Sequence, residues 1–116
     1  MASGAHVTAG GDWVSVSSRE RKQDFQSVEN RDVLNRVASL PITRWRYSNE
    51  LGSVHMGPVA EDFYAAFGLG ADDKHISALD GNGVALSAIQ GLYYLVSQQQ
   101  AEIERMREVM RKAGLE

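Results

Sequence analysis

Residues 85–113, ALSAIQGLYYLVSQQQAEIERMREVMRKA, decide the fold. Ala85, Ile89, Leu92, Val96, Gln99, Ile103, Met106, Met110 and Ala113 recur in alternating steps of four and three, the seam of a left-handed coiled coil. Only Gln99 in that seam is polar. With Ile89, Val96, Ile103 and Met110 as a and the others as d, Glu102 falls at g and Arg107 at e, suited to charge pairing between helices. A helix from Val84 to Ala113 extends about 45 Å at 1.5 Å per residue. A small domain cannot bury a stripe of that length, so a partner helix is expected, and self-association is its simplest source. The seam does not choose the number of strands, because its d positions mix Ala, Leu, Gln and Met. A buried Gln99 could fix register if its amides bond across the axis.

Upstream of this helix the chain reads as a small body. Asn30 is placed to cap a helix whose apolar positions are Val33, Leu34, Val37 and Leu40, and Pro41 ends it. Phe25 and Val28 are expected anchors. Residues 42–47 alternate, with Thr43, Trp45 and Tyr47 on one face, as on a half-buried strand. Residues 48–53 carry turn chemistry, and Val54 to Met56 returns as the partner strand of a hairpin. Pro58 suits the first turn of a second helix and Gly68 its end, with Val59, Phe63, Ala66 and Phe67 on its apolar face. Trp45, Tyr47, Phe63 and Phe67 are expected core residues, and Tyr93 and Tyr94 could line the interface between long helices. His75 to Leu79 reads as a short extended piece and Asp80-Gly81-Asn82-Gly83 as a turn. Residues 1–12 are small and glycine-rich and read as a flexible linker. Trp13, Val14 and Val16 suggest an extended segment after it.

Composition excludes several function classes. The chain has 116 residues, 12 Lys+Arg against 15 Asp+Glu and a net charge of -3, without the basic excess that favours phosphate, so no nucleic-acid partner is expected. It has no cysteine, which removes disulfides, thiolate metal sites and cysteine nucleophiles. His6, His55 and His75 are scattered without ligand spacing, so no metal and no cofactor is expected. No apolar run approaches the roughly 20 residues a bilayer span needs, and the N-terminus has neither basic cluster nor apolar h-region, so no membrane partner or secretory signal is expected. Gly81-Asn82-Gly83 lacks the full spacing of a phosphate-binding loop.

Ser17 and Lys22 set a hydroxyl and an amine five positions apart in Ser17-Ser18-Arg19-Glu20-Arg21-Lys22. Such a pair means little alone. A serine hydroxyl is a weak nucleophile that needs a base, and a lysine in water, with a reference pKa of about 10.4, keeps its proton. It serves as a base only where water is excluded or another cation stands near, as Arg19 and Arg21 could.

Three downstream stretches give the pair meaning: Leu40-Pro41-Ile42-Thr43-Arg44-Trp45-Arg46-Tyr47, then His55-Met56-Gly57-Pro58-Val59-Ala60-Glu61-Asp62-Phe63, then Asp80-Gly81-Asn82-Gly83-Val84-Ala85-Leu86. In this order and spacing the chain, over residues 11 to 105, resembles the C-terminal intramolecular chaperone domain of endosialidases, phage tailspikes and tail fibres, the peptidase S74 family. The resemblance implies an α+β, mainly helical fold with short β-hairpins and a long C-terminal helix forming a parallel trimeric coiled coil. Ile89, Leu92, Val96, Gln99, Ile103, Met106 and Met110 then line the trimer interface. It further implies that residues 1–16 end an upstream fibrous stalk and that residues 17–116 are the chaperone, with 84–113 as coiled coil. The partners are the chain's own copies and its own stalk, on a virion tail or a bacterial cell surface.

The implied chemistry is a single self-cleavage of Val16-Ser17, with Ser17 as nucleophile and Lys22 as base. His55, backbone amides near Gly57-Pro58, or Glu61 are candidates for support. The chain departs from the family pattern at Ser18, where the family usually has Asp, and at Glu61, where Gln is common. His55 reads equally as a hydrogen-bonded residue at a strand end, and Glu61 as a carboxylate favouring a helix dipole. A noncatalytic trimerisation cap that stays attached to the stalk is the alternative from another class. A helical adaptor explains the heptads but leaves the ordered motifs without a reason.

Overall fold

The computed structural model describes residues 4–49 and 51–115. Residues 1–3 of the expected linker, Glu50 of the expected turn, and Glu116 lie outside the described residues. In chain order the elements are β1 (His6–Val7), β2 (Trp13–Val14), a short 3-10 turn (Arg19–Arg21), α1 (Asn30–Ser39), β3 (Thr43–Trp45), β4 (His55–Gly57), α2 (Ala60–Phe67) and α3 (Ala78–Lys112). The fold is α+β: three helices and two antiparallel hairpins among the described residues.

The long helix starts earlier than the sequence suggested. Asp80-Gly81-Asn82-Gly83 forms the first turns of α3 and is not a loop, and Leu79 is helical, not extended. Glycines in a helix cost up to about 1 kcal/mol each relative to alanine. Two features offset that cost. The Ser77 hydroxyl accepts a hydrogen bond from the Leu79 N–H at 3.1 Å, and Val84 and Ala88 bury themselves. Ser77-Ala78-Leu79-Asp80 has the Ser-x-x-Asp spacing of a helix start, a signal available in the sequence.

Helix α1 lies on α3. Val33, Leu34, Val37 and Leu40 are half-buried, and Gly91 of α3 meets the α1 backbone so closely that a Cβ there would stand 2.6 Å from the Asn30 carbonyl oxygen. Asn30 is not the cap. The Glu29 carboxylate accepts from the Arg31 N–H, while the Asn30 amide accepts from the Ser87 hydroxyl at 2.7 Å and donates to Gln90 at 3.3 Å. Its amide is used between helices, which leaves the cap to its neighbour. Arg36 joins α1 to the end of α2, donating to the Ala66 carbonyl at 2.8 Å while pairing with Asp32.

The expected hairpin forms as β3–β4, with Trp45 opposite His55 and Thr43 opposite Gly57. Helix α2 begins after Pro58 and Val59, slightly later than expected, and ends at Gly68, whose φ of 63° is the left-handed cap that glycine tolerates. Within the stretch read as a flexible linker, a short hairpin forms at residues 6–14. β1 and β2 pair across a turn in which Thr8 N–H donates to the Asp12 carbonyl at 2.7 Å and Asp12 N–H to the Thr8 hydroxyl at 3.0 Å. The local signal was Val7 and Trp13 flanking Gly10-Gly11-Asp12.

The hydrophobic core is small. Among the described residues only Phe63, Val84 and Ala88 are buried hydrophobics, while Phe25, Val28 and Tyr47 are exposed rather than anchoring. Trp45 and Phe67 are half-buried. The accessible surface, 9646 Å², far exceeds the roughly 6,200 Å² expected of a folded monomer of this mass. The radius of gyration, 20.5 Å, likewise exceeds the roughly 13 Å of a compact domain this long.

Candidate active site

Between β2 and α1 the chain runs through the 3-10 turn, and this turn shapes the Ser17–Lys22 pair. Five extended residues would span about 16 Å. The turn shortens that distance, because each residue in it rises only about 2 Å. Arg21 N–H donates to the Ser18 carbonyl at 3.0 Å, and Lys22 N–H to the Arg19 carbonyl at 3.3 Å. The Lys22 side chain then folds back, and its Nζ donates to Ser17 Oγ at 2.7 Å. Both side chains are exposed in the single chain.

The residues next to the pair are ordered by local contacts. Ser18 caps the turn, its Oγ accepting from the Glu20 N–H at 3.4 Å. Arg19 lies with its guanidinium carbon 5.7 Å from the Phe25 ring centroid, a cation–π contact. Asp24, with a left-handed φ of 58°, is the only positive-φ position outside glycine among the described residues. On the other side of the Val16-Ser17 bond, Val16 leans on Gly4: a Cβ at Gly4 would stand 2.4 Å from Val16 Cγ2, and Gly4 has φ 68°. Gly4→Ala is therefore expected to displace Val16 and loosen the chain entering the pair, seen as raised amide exchange at Val16 and Ser17.

The two supporting candidates sit in other surroundings. His55 lies in β4, its ring 5.0 Å from Trp45 and 5.5 Å from Tyr47, and Trp45 Nε1 donates to the Gly57 carbonyl at 3.3 Å. Glu61 opens α2 and pairs with Lys74 at 3.1 Å, not with Ser17 or Lys22. Its own backbone N–H, and then Lys74, hold the Glu61 carboxyl below its ordinary value of 4.5. Lys74 is held above 10.5, chiefly by the hydrogen bond to Glu61. A depressed carboxyl stabilises the fold above its unfolded value and loses that contribution as pH falls through the folded one. The raised lysine behaves oppositely, contributing below its unfolded value and losing it as pH rises through the folded one. The pair is exposed, so its contribution is small. The stability difference between the parent and Glu61→Gln, measured by thermal unfolding, should be present at pH 7 and shrink as the pH drops below 4.5.

Among the described residues no cluster of His, Asp or Glu could hold a metal ion, and no helix is long and apolar enough to cross a membrane.

An α+β body with a long, largely unpartnered helix and a serine–lysine pair on its N-terminal arm is the class that fold and site define. Residues 17–68, a little under half of the chain, match the family model Peptidase S74, described as chaperone of endosialidase. No curated protein and no solved structure matches the chain.

Proposed function

We propose that the chain is an intramolecular chaperone that assembles as a trimer through α3, assists the folding of a fibrous protein on its N-terminal side, and releases itself by cutting Val16-Ser17 once. The observation that carries the cutting is the 2.7 Å contact between Lys22 Nζ and Ser17 Oγ, directly after the proposed bond. The family match also begins at Ser17.

Assembly is supported by the seam. Helix α1 covers the face of α3 that holds Val84, Ala88, Gly91 and Leu95. Each of Ala85, Ile89, Leu92 and Val96 stands one residue later, rotated by about 100°. The seam therefore stays outside α1's footprint: Ile89 is 62% exposed, Val96 53% and Ile103 44% in the single chain. Its continuation through Met106 and Met110 runs beyond the body. A small core, a large surface and an open heptad seam together favour union with further copies of the chain.

In the proposed reaction the Ser17 hydroxyl attacks the Val16 carbonyl carbon and gives its proton to a neutral Lys22. The C–N bond breaks, the proton passes to the departing Ser17 amine, and Val16 is left esterified to Ser17 Oγ. Water then hydrolyses the ester, restoring the hydroxyl and leaving a Val16 carboxylate and a Ser17 N-terminus. Lys22 faces water in the single chain, so shielding by assembly would supply the neutral base and tie cutting to completed trimers. Developing charge on the Val16 oxygen needs a hydrogen-bond donor, a role for which His55 or backbone amides near Gly57-Pro58 are proposed.

Intact mass of the purified full chain tests this reading. The parent should yield a fragment beginning at Ser17, while Ser17→Ala and Lys22→Ala stay whole. A parent that stays whole as an assembled trimer makes the domain a noncatalytic cap; a parent cut equally fast as a dilute monomer removes the link to assembly.

A further inference from the structure

Ser18 lies beside the proposed nucleophile, yet its side chain is directed elsewhere. Its backbone is extended, φ −66° and ψ 145°, as at a helix N-cap. Its hydroxyl accepts from the Glu20 N–H and its carbonyl from the Arg21 N–H, so both oxygens of this one residue close the turn. The only side-chain hydrogen bond of Ser17 or Lys22 among the described residues is the one they make with each other. A turn of three residues has few bonds of its own and no buried residue to hold it. Its population therefore depends on each bond, and the Lys22–Ser17 contact exists only while the turn does.

Resting on the self-cleavage reading above, we infer that Ser18 is a positioning residue: as the cap of the Arg19–Arg21 turn, it sets how much of the chain holds Lys22 within reach of Ser17. Any side chain that caps equally well should serve at this position, whether or not it carries charge. The order of N-cap strength places Asn and Asp with Ser, Gly below them and Ala last.

The test is the first-order rate of appearance of the Ser17-started fragment across a pH series, using the full chain with Ser18→Ala, Ser18→Asn and Ser18→Asp. Ser18→Ala should lower the plateau rate about three- to thirtyfold and leave the midpoint of the pH profile where it is. Ser18→Asn should restore the plateau without moving the midpoint. Ser18→Asp should restore the plateau as well. In the uncut Ser17→Ala background, adding Ser18→Ala should speed amide exchange at Glu20, and adding Ser18→Asn should slow it again.

A parent that cuts while Ser18→Ala cuts at the same rate overturns the inference and leaves the cleavage reading standing. So does rescue by Asp but not Asn, which would assign the position to charge. A parent that never cuts overturns the cleavage reading itself and, with it, any positioning role.

Discussion

Ile103→Asp should abolish assembly, and with it cutting, while leaving the body of each chain folded. Ile103 is an a position of the seam, 44% exposed in the single chain and more than a turn beyond the part of α3 that α1 covers. Inside a parallel bundle, one substitution places a carboxylate from every copy around the same layer of the core. Burying such charges without partners costs several kcal/mol, and each 1.4 kcal/mol is tenfold in association. The concentration at which copies associate should therefore rise by at least about a hundredfold. Sedimentation at a series of concentrations reads this directly, and amide-exchange protection within α1 and α2 reports the body. Ala101→Asp is the control, because residue 101 lies on the f face, away from the seam. A variant at Ile103 that assembles as well as the parent would rule out the seam as the interface.

The second large effect lies on the adjoining face of the same helix. Gly91→Val should drive α1 away from α3, because a Cβ at residue 91 would meet the Asn30 carbonyl oxygen at 2.6 Å, its carbon at 3.0 Å and Leu34 Cβ at 3.2 Å. Backbone atoms at those distances cannot swing aside as the end of a side chain can. Overpacking costs about 1–3 kcal/mol, and the backbone contact places Val at the upper end. A fall in Tm of about 10 °C is expected for a chain of this size. Gly83→Ala on the same helix meets nothing within 4 Å and should instead stabilise it by up to about 1 kcal/mol. Thermal unfolding of both variants separates close approach from helix propensity. A Gly91→Val protein as stable as the parent would show that α1 does not pack at Gly91.

These two residues also mark the limits of what could be read from the chain. Ile103 announces itself by period, because a heptad stripe is a local repeat. Gly91 does not, since a glycine in a helix pattern looks only like a weak helix former until a second helix is laid across it. Pro41 and Gly68 stopped their helices through backbone restrictions that hold in any context. Asp80-Gly81-Asn82-Gly83 resembled a turn for equally sound local reasons, but the Ser77 cap and the burial of Val84 and Ala88 against α1 outweighed them. Asn30 had the chemistry of a cap and was used instead between helices. At the site, Ser17 and Lys22 were legible as types and spacing. The turn that joins them, the left-handed backbone at Asp24 and the contact of Val16 with Gly4 depend on dihedral angles that no pattern displays.

The amino-acid order by itself determined the long helix, the heptad stripe along it, the β3–β4 hairpin and the likeness of residues 17–68 to the Peptidase S74 family model, because periodicity, turn chemistry and ordered motifs are properties of neighbours along the chain. Only the tertiary structure decided which face of α3 is covered by α1 and which stays open, and that Lys22 Nζ reaches the Ser17 hydroxyl. Those outcomes come from competition among contacts between distant segments and from a few backbone angles, and neither is written in any local stretch of residues.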